Sequence, residues 1–501
     1  MSKNVYALFQ SRFPNDLSQP FIMSPDGENL SYGELEIQTS KMAGALIFLG
    51  TKPGARVAVQ VEKTAEAVVL YLACLRIGAI YLPLNTAYTA EELDYFLGDA
   101  TPHIMVCSPA NFDKLSVIAE KNSVTHLLTL GLDQSGSLME AYKVAIPVTE
   151  IVDVTGDAIA AFLYTSGTTG RSKGAMLTHD NLASNAQVLH EYWGWREGDI
   201  LLHALPIFHV HGLFVAINCV LMNGSAMWFL PKFDAQIVME LIPKSTVMMG
   251  VPTFYTRLLD QEEFGHDLCE NMRLFISGSA PLLEDTFTQF ADRTGMPILE
   301  RYGMTEAGMI TSNPLDGARI AGTVGYPLPG VEARLSQDTE KGDAGVLEIK
   351  GPNVFKGYWN MPEKTAEEFT DDGFFITGDI ATISDDNRIA IVGRAKDLII
   401  SGGYNVYPKE IELVIDDIEG VKEAAVIGTH HSDFGEAVVA VVIQDGTKEL
   451  HEDDIKSGLK DKLARFKQPK AVIFIDELPR NTMGKVQKNI LRQEYNHLFE
   501  K

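Results

Sequence analysis

The chain is short of cysteine and of positive charge, and each shortage excludes something. Four cysteines (Cys74, Cys107, Cys219 and Cys269) are scattered over 501 residues with no Cys-x-x-Cys pair. That spacing rules out a zinc ribbon or a disulfide framework and fits a reducing compartment, the cytoplasm. Lysine and arginine number 42 against 67 acidic residues, a net charge of −25. Nucleic acid needs a basic stripe, so it is excluded as a partner. The overall field also repels small anions, but salt screens it beyond about 8 Å, so local lysines and arginines must do any attracting. The first residues, Met1-Ser2-Lys3-Asn4-Val5-Tyr6, lack a signal-peptide pattern. Residues 212–231 carry no charge and are long enough to raise the question of a membrane span. Asn218, Asn223, Gly224 and Ser225 interrupt them. A buried helix, an Asn-Gly turn and a strand account for the stretch better, and no membrane partner is expected.

The composition, 46% hydrophobic and 22% charged, is that of a globular protein. The length exceeds one ordinary core, so two or three domains are expected. Residues up to about 390 alternate helical and strand-like segments. An amphipathic helix is predicted over residues 65–75 and a strand over 79–84. Short apolar runs at 245–251 and 273–277 end in Gly or Pro. The pattern is α/β with buried parallel strands. A β-rich patch follows at 331–334 and 345–350. Beyond residue 397 a small α+β unit is predicted, with strands at 424–427 and 437–443 and a polar loop at 478–485 before the last helix.

The densest chemistry lies in Thr165-Ser166-Gly167-Thr168-Thr169-Gly170-Arg171-Ser172-Lys173-Gly174. An apolar run feeds it, so it reads as a strand entering a loop. Three glycines let backbone N–H groups approach anionic oxygens, five hydroxyls can donate, and Lys173 adds a mobile charge. That suits a polyphosphate. A Walker A loop would need Gly-Lys followed directly by Ser or Thr, and the order here differs.

Further strings follow in order: Ser277-Gly278-Ser279-Ala280-Pro281, Glu300-Arg301-Tyr302-Gly303-Met304-Thr305-Glu306, Thr377-Gly378-Asp379, Gly393-Arg394-Ala395-Lys396-Asp397, Ser401-Gly402-Gly403-Tyr404 and Pro479-Arg480-Asn481-Thr482-Met483-Gly484-Lys485. One string is moderately specific; the ordered set is far more so. Over essentially the whole chain it resembles the adenylate-forming superfamily of acyl-CoA synthetases, peptide-synthetase adenylation domains and luciferase. The resemblance implies a large N-terminal α/β domain with a β-rich subdomain (residues 1–393), a hinge (394–396) and a small mobile α+β domain (397–501). It implies two half-reactions: a carboxylate attacks the α-phosphate of ATP, then the thiol of coenzyme A displaces AMP. Thr165, Ser166, Gly167, Thr168, Thr169, Gly170 and Lys173 would hold the phosphates. Ser279, Ala280, Glu300, Arg301, Tyr302, Gly303 and Met304 would line the nucleotide, and Asp379 the ribose, with Arg394 beside it. Thr305 and Glu306 would hold Mg²⁺. Lys485 would bridge the attacking carboxylate and the α-phosphate, Lys396 would be the hinge, and Ser401, Gly402 and Gly403 would line the coenzyme A tunnel. Catalytic weight would fall on Lys485, Lys173, Thr305 and Glu306. Acetylation of Lys485 by a lysine acetyltransferase would remove its charge and stop adenylation.

The acid is read from Gly250-Val251-Pro252-Thr253-Phe254-Tyr255-Thr256-Arg257-Leu258. The family lines its acyl pocket there, usually with apolar groups. A buried Arg257 would need an anion, and its planar fork suits a carboxylate. The alternative is a helix-surface arginine paired with Asp260 or Glu262. His209, Ser279 and Met304 would complete the acyl wall. With residues 205–212 and 231–234 the chain resembles the malonate-activating branch, so malonate or another small dicarboxylate is expected, with methylmalonate tolerated. His211 reads as packing and His430-His431 as a solvated loop pair. An amino- or aryl-acid adenylation domain, a luciferase-like oxygenase and a non-catalytic nucleotide sensor are the competing readings. Asp234 falls off the amino-group-binding position of the first, and the presence of Lys485 and Glu306 argues against the last.

Overall fold

The computed structural model describes residues 3–165, 172–336, 344–401, 404–431, 434–460, 462–463, 465–481 and 484–499, with Tyr404 and Asn405 by backbone alone. Contacts divide the chain into two compact units. The first comprises Met1–Ala321, Gly325–Glu332 and Lys350–Phe375, the second Gly322–Val324, Ala333–Ile349 and Ile376–Lys501.

The first unit is built on two sheets. A seven-stranded sheet runs in the order Gly357–Tyr358, Lys173–Thr178, Ile159–Thr165, Ile80–Pro83, Arg56–Gln60, Ile104–Cys107, His126–Thr129. From Ile159–Thr165 onward its strands are parallel, while Ile159–Thr165 and Lys173–Thr178 form an antiparallel hairpin. The nine-stranded sheet has a parallel centre: Leu299–Met304, Leu274–Ser277, Val247–Gly250, Ile200–His203, Ala226–Phe229 and Pro20–Met23, with antiparallel strands beyond each end. The strands Ile80–Pro83, Ile104–Cys107, Val247–Gly250 and Leu274–Ser277 are buried at every position. Unbroken apolar runs rather than alternating ones are what helices on both faces require.

The helix expected over 65–75 runs Ala65–Arg76, capped by the Thr64 side chain accepting from the Ala67 N–H. It is not amphipathic: every residue from Ala67 to Arg76 is buried. Arg76 at its end donates through Nη1 and Nη2 to Glu36, the Tyr6 hydroxyl and the Thr149 carbonyl. The charge-free stretch resolves into a wide helical turn His211–Ile217, a helix Asn218–Asn223, a left-handed Gly224 and a strand Ala226–Phe229. Among the described residues no helix is long and apolar enough to cross a membrane.

In the second unit a four-stranded sheet orders Glu332–Leu335, Gly345–Lys350, Phe375–Ile383 and Ile389–Arg394. The remainder is a five-stranded sheet with helices on both faces. Its long strands Val421–His431 and Gly435–Gln444 divide by side-chain alternation. Ala424, Val426, Val438, Ala440 and Val442 pack under the helices Pro408–Asp416 and Glu452–Lys460. Ala425, Ile427, Val439 and Val441 face Leu478 and Leu491, the latter on the last helix, Lys488–Tyr495. The period of two gives each helix layer its own apolar face. His430 and His431 end a strand rather than sitting in a loop.

Candidate active site

The hairpin Ile159–Thr165/Lys173–Thr178 aligns Thr165 with Lys173 and Tyr164 with Gly174. The glycine-rich string expected to bind phosphate joins these two strands in sequence. Ser166, Gly167, Thr168, Thr169, Gly170 and Arg171 lie outside the described residues. Both ends of this string meet groups that arrive from far along the chain. The Thr165 hydroxyl donates to Glu306 at 3.3 Å and the Tyr358 hydroxyl donates to the same carboxylate oxygen at 3.1 Å. Lys173, buried, donates to Glu368 at 3.0 Å and stands 4.1 Å from the centre of the Tyr358 ring. Lys364 is also paired with Glu368, at 3.2 Å. Burial first, and then the charges of Glu306 and Glu368, push the Tyr358 hydroxyl far above its usual range. Glu368 was not legible as part of this site, for it lies 195 positions from Lys173 outside every string that carried the resemblance.

The carboxyl ends of the parallel strands gather the acyl-side residues. Register aligns His203 with Phe229 and Met249, Gly250 with Ser277, and Ser277 with Glu300. The segments leaving these ends carry His209, Arg257, Ser279, Ala280 and Tyr302. This edge is where open α/β sheets place ligands. Ser279 has φ +71°, left-handed for a non-glycine residue, and its Oγ lies 3.1 Å from His211 Nδ1. His211 is therefore more than packing. Burial pulls the His209 imidazole down to about 4; burial, and then Arg301, pull His211 further below its usual range. Both rings are neutral at pH 7.

Arg301 is the unexpected group. It is buried, and its Nε and Nη2 have no hydrogen-bond partner among the described residues. Burial lowers its guanidinium to about 10. A Cβ on Gly278 would lie 2.4 Å from the guanidinium carbon, so a larger residue there would force the guanidinium to shift. Arg257, by contrast, is exposed, which corrects the premise of a buried arginine. The helix Pro252–Leu259 turns Phe254, Tyr255 and Leu258 inward and leaves position 257 at the rim. Its guanidinium forms no ion pair with Asp260 or Glu262 among the described residues.

In the second unit Asp379 and Arg394 are register partners on adjacent strands and form an ion pair at 2.7 Å. Asp379 is buried, and its N–H donates to the Thr377 hydroxyl at 3.1 Å. Lys485 is half-buried, close enough to this pair to feel both charges. Burial first, then Arg394, lowers its ammonium to about 8, against the opposing pull of Asp379. Lys396 is exposed and its ammonium is lowered by desolvation and by Arg394. Ser401 is buried, paired with Tyr404 and with Gly435 across the sheet; Gly402 and Gly403 lie outside the described residues. No group of three or more His, Cys, Asp or Glu among the described residues could hold a metal by itself.

A glycine- and hydroxyl-rich string between two strands, a sheet edge of the kind at which α/β folds take ligands and, in the other unit, a lysine near a buried Asp–Arg pair are the parts expected of a nucleotide-dependent acyl-activating enzyme. The family comparison agrees: the AMP-binding enzyme model matches residues 10–359 and the AMP-binding enzyme C-terminal domain model matches 410–485. The chain belongs to the AMP-binding enzyme family. Among its relatives is the malonate–CoA ligase of Arabidopsis thaliana, 34% identical over 93% of this chain and 85% of the relative. The mitochondrial malonate–CoA ligase of Mus musculus is 37% identical over 83% of this chain and 78% of its own. The ATP-bound structure of MatB from Rhodopseudomonas palustris matches with a TM-score of 0.97 and 52% identity over 100% of both chains.

Proposed function

We propose that this protein is an AMP-forming malonate–CoA ligase. A carboxylate oxygen of malonate attacks the α-phosphorus of ATP; the new O–P bond forms as the bond to pyrophosphate breaks. The thiol sulfur of coenzyme A then forms a C–S bond at the acyl carbonyl, AMP leaves with the C–O electron pair, and the thiol proton passes to solvent.

The roles follow from the site. Lys173 and the glycine-rich string take the β- and γ-phosphates. Ser279, Ala280, Tyr302, Gly303 and Met304 surround the adenine end, and Asp379 accepts from the ribose with Arg394 beside it. The Thr305 hydroxyl and the Glu306 carboxylate fit Mg²⁺. They are hard oxygen donors and too few to cage an ion alone, so phosphate and water would complete the shell, as Mg²⁺ favours. Bound there, Mg²⁺ supplies charge neutralisation on the phosphates. Lys485 meets the negative charge that builds between the attacking carboxylate and the α-phosphate. Lys396 is the hinge, and Ser401, Gly402 and Gly403 line the thiol's path. His209, neutral, walls the acyl group; malonate is already ionised at pH 7 and needs no base.

The observation that carries the substrate is Arg301. A buried guanidinium with two nitrogens that find no partner among the described residues is unfavourable until an anion arrives. Its guanidinium lies against Gly278, next to Ser279; with the acyl group of the adenylate placed there, the second carboxylate of a small dicarboxylate supplies the anion. Arg257 closes over the same carboxylate from the rim. Pyrophosphate release with coenzyme A should therefore be fastest with malonate, slower with methylmalonate, and poor with acetate, propionate and succinate. Acetate turned over as well as malonate would end this reading.

The name of the mouse relative places that protein in mitochondria. The four buried free cysteines here suit any reducing compartment, the cytoplasm included. The relatives lend no support to an acetyltransferase acting on Lys485.

A further inference from the structure

The loop that carries Lys485 is held by a residue with no assigned role. Segments 479–481 and 484–487 form an antiparallel pairing. Pro479 accepts from the Gln487 N–H at 2.7 Å, and Arg480 pairs antiparallel with Val486. Inside it, the Asn481 N–H donates to the Lys485 carbonyl at 2.9 Å, and the Lys485 N–H donates back to Asn481 Oδ1 at 3.0 Å. Gly484, just before the lysine, has φ +75°, a conformation that favours glycine. Its carbonyl accepts from Arg480 Nη1 at 2.7 Å. The other arm of the same guanidinium is ion-paired with Glu423 on the strand Val421–His431. Arg480 thus ties the peptide unit that precedes Lys485 to the central sheet of its unit. A planar fork with donors on both arms can do this; a lysine could reach only one of the two acceptors in fixed geometry.

We propose that Arg480, anchored by Glu423, is a positioning residue for adenylation. It fixes the Gly484 carbonyl and so the direction in which the Lys485 side chain leaves the backbone. This rests on the role given to Lys485 above. Displacing a charge-stabilising group by about 1 Å lowers the rate about 100-fold, so malonate-dependent pyrophosphate release should fall ~10–100-fold in Arg480→Met. Thioester formation from preformed malonyl-adenylate and coenzyme A does not use Lys485 and should stay within about twofold of wild type. Glu423→Gln should shift the first half-reaction in the same direction by less, and Arg480→Lys should recover only part of it.

Both half-reactions are measured on the full chain in parallel with Lys485→Ala. A Lys485→Ala enzyme that still releases pyrophosphate normally overturns the role of Lys485, and that of Arg480 with it. Loss in Lys485→Ala with a normal Arg480→Met overturns the Arg480 proposal alone. Equal loss of both half-reactions in Arg480→Met also overturns it, since the arginine would then support the fold and not the step.

Discussion

Among the described residues two nitrogens of the buried Arg301 guanidinium have no hydrogen-bond partner, whereas Arg257 is exposed, so their substitutions should fail differently. Arg301→Met removes an uncompensated buried cation. The ligand-free variant should melt at or above the wild-type temperature while its kcat/KM for malonate collapses. Malonate should raise the melting temperature of the wild type and leave that of the variant unchanged. Arg257→Ala should leave the melting temperature alone and lower malonate kcat/KM about tenfold or more, the worth of one charge-assisted hydrogen bond. A value within twofold of wild type removes Arg257 from the pocket. Lys485 carries a pH signature. Its ammonium is pulled down to about 8, so the charged form is held below that pH and lost above it. The kcat/KM for pyrophosphate release should fall as pH rises through about 8. A profile flat to pH 9.5 would contradict it.

Helices and hairpins show how much of the fold could be read in advance. The short strands were legible because each is a β-branched or apolar run that stops at Gly or Pro. The helix Ala65–Arg76 was legible in place but not in character, since whether a helix is covered on one side or all round depends on neighbours distant in sequence. Motif order disclosed Lys173, Glu306, Asp379 and Lys485. It could not disclose Glu368, which meets Lys173 only through the antiparallel strand Gly357–Tyr358 and the helix Pro362–Glu367 that follows it. On the role proposed for Lys173, Glu368 holds the cation that the γ-phosphate would need. Glu368→Gln should lower the KM for ATP about three- to tenfold, the charge-assisted bond discounted for its partial exposure. A raised KM would mean that Glu368 helps hold the nucleotide. In the second unit, Asp416 closes the helix Pro408–Asp416, and burial pushes its carboxyl up to about 7. A raised folded-state value means stability is lost as pH climbs from about 4 towards 7. Asp416→Asn keeps an acceptor for the Ala424 N–H. It should raise the melting temperature at pH 8 and change little at pH 4.

The chain carries a net charge of −25, and the substrates proposed for it, ATP, malonate and coenzyme A, are all anions. Its far field opposes each of them, while Lys173, Arg257, Arg301 and Lys485 attract at contact. Screening weakens the far term first. Raising ionic strength from about 0.01 to 0.15 M, where the Debye length shrinks from roughly 30 to 8 Å, should therefore raise kcat/KM for malonate. A steady fall over that range would show that local positive charge dominates the approach.

All four cysteines are buried, and burial pushes their thiols upward, to about 11 for Cys107 and about 12 for Cys269. An enzyme that makes a mixed anhydride and hands it to a thiol is exposed to its own side chains as competing nucleophiles. A surface thiolate would capture the activated acyl group as a protein thioester, with AMP leaving. The chain's four cysteines present no thiol to solvent, so with coenzyme A as the proposed acceptor the acyl group has one sulfur acceptor. The folded protein should take up no thiol reagent on the timescale of turnover.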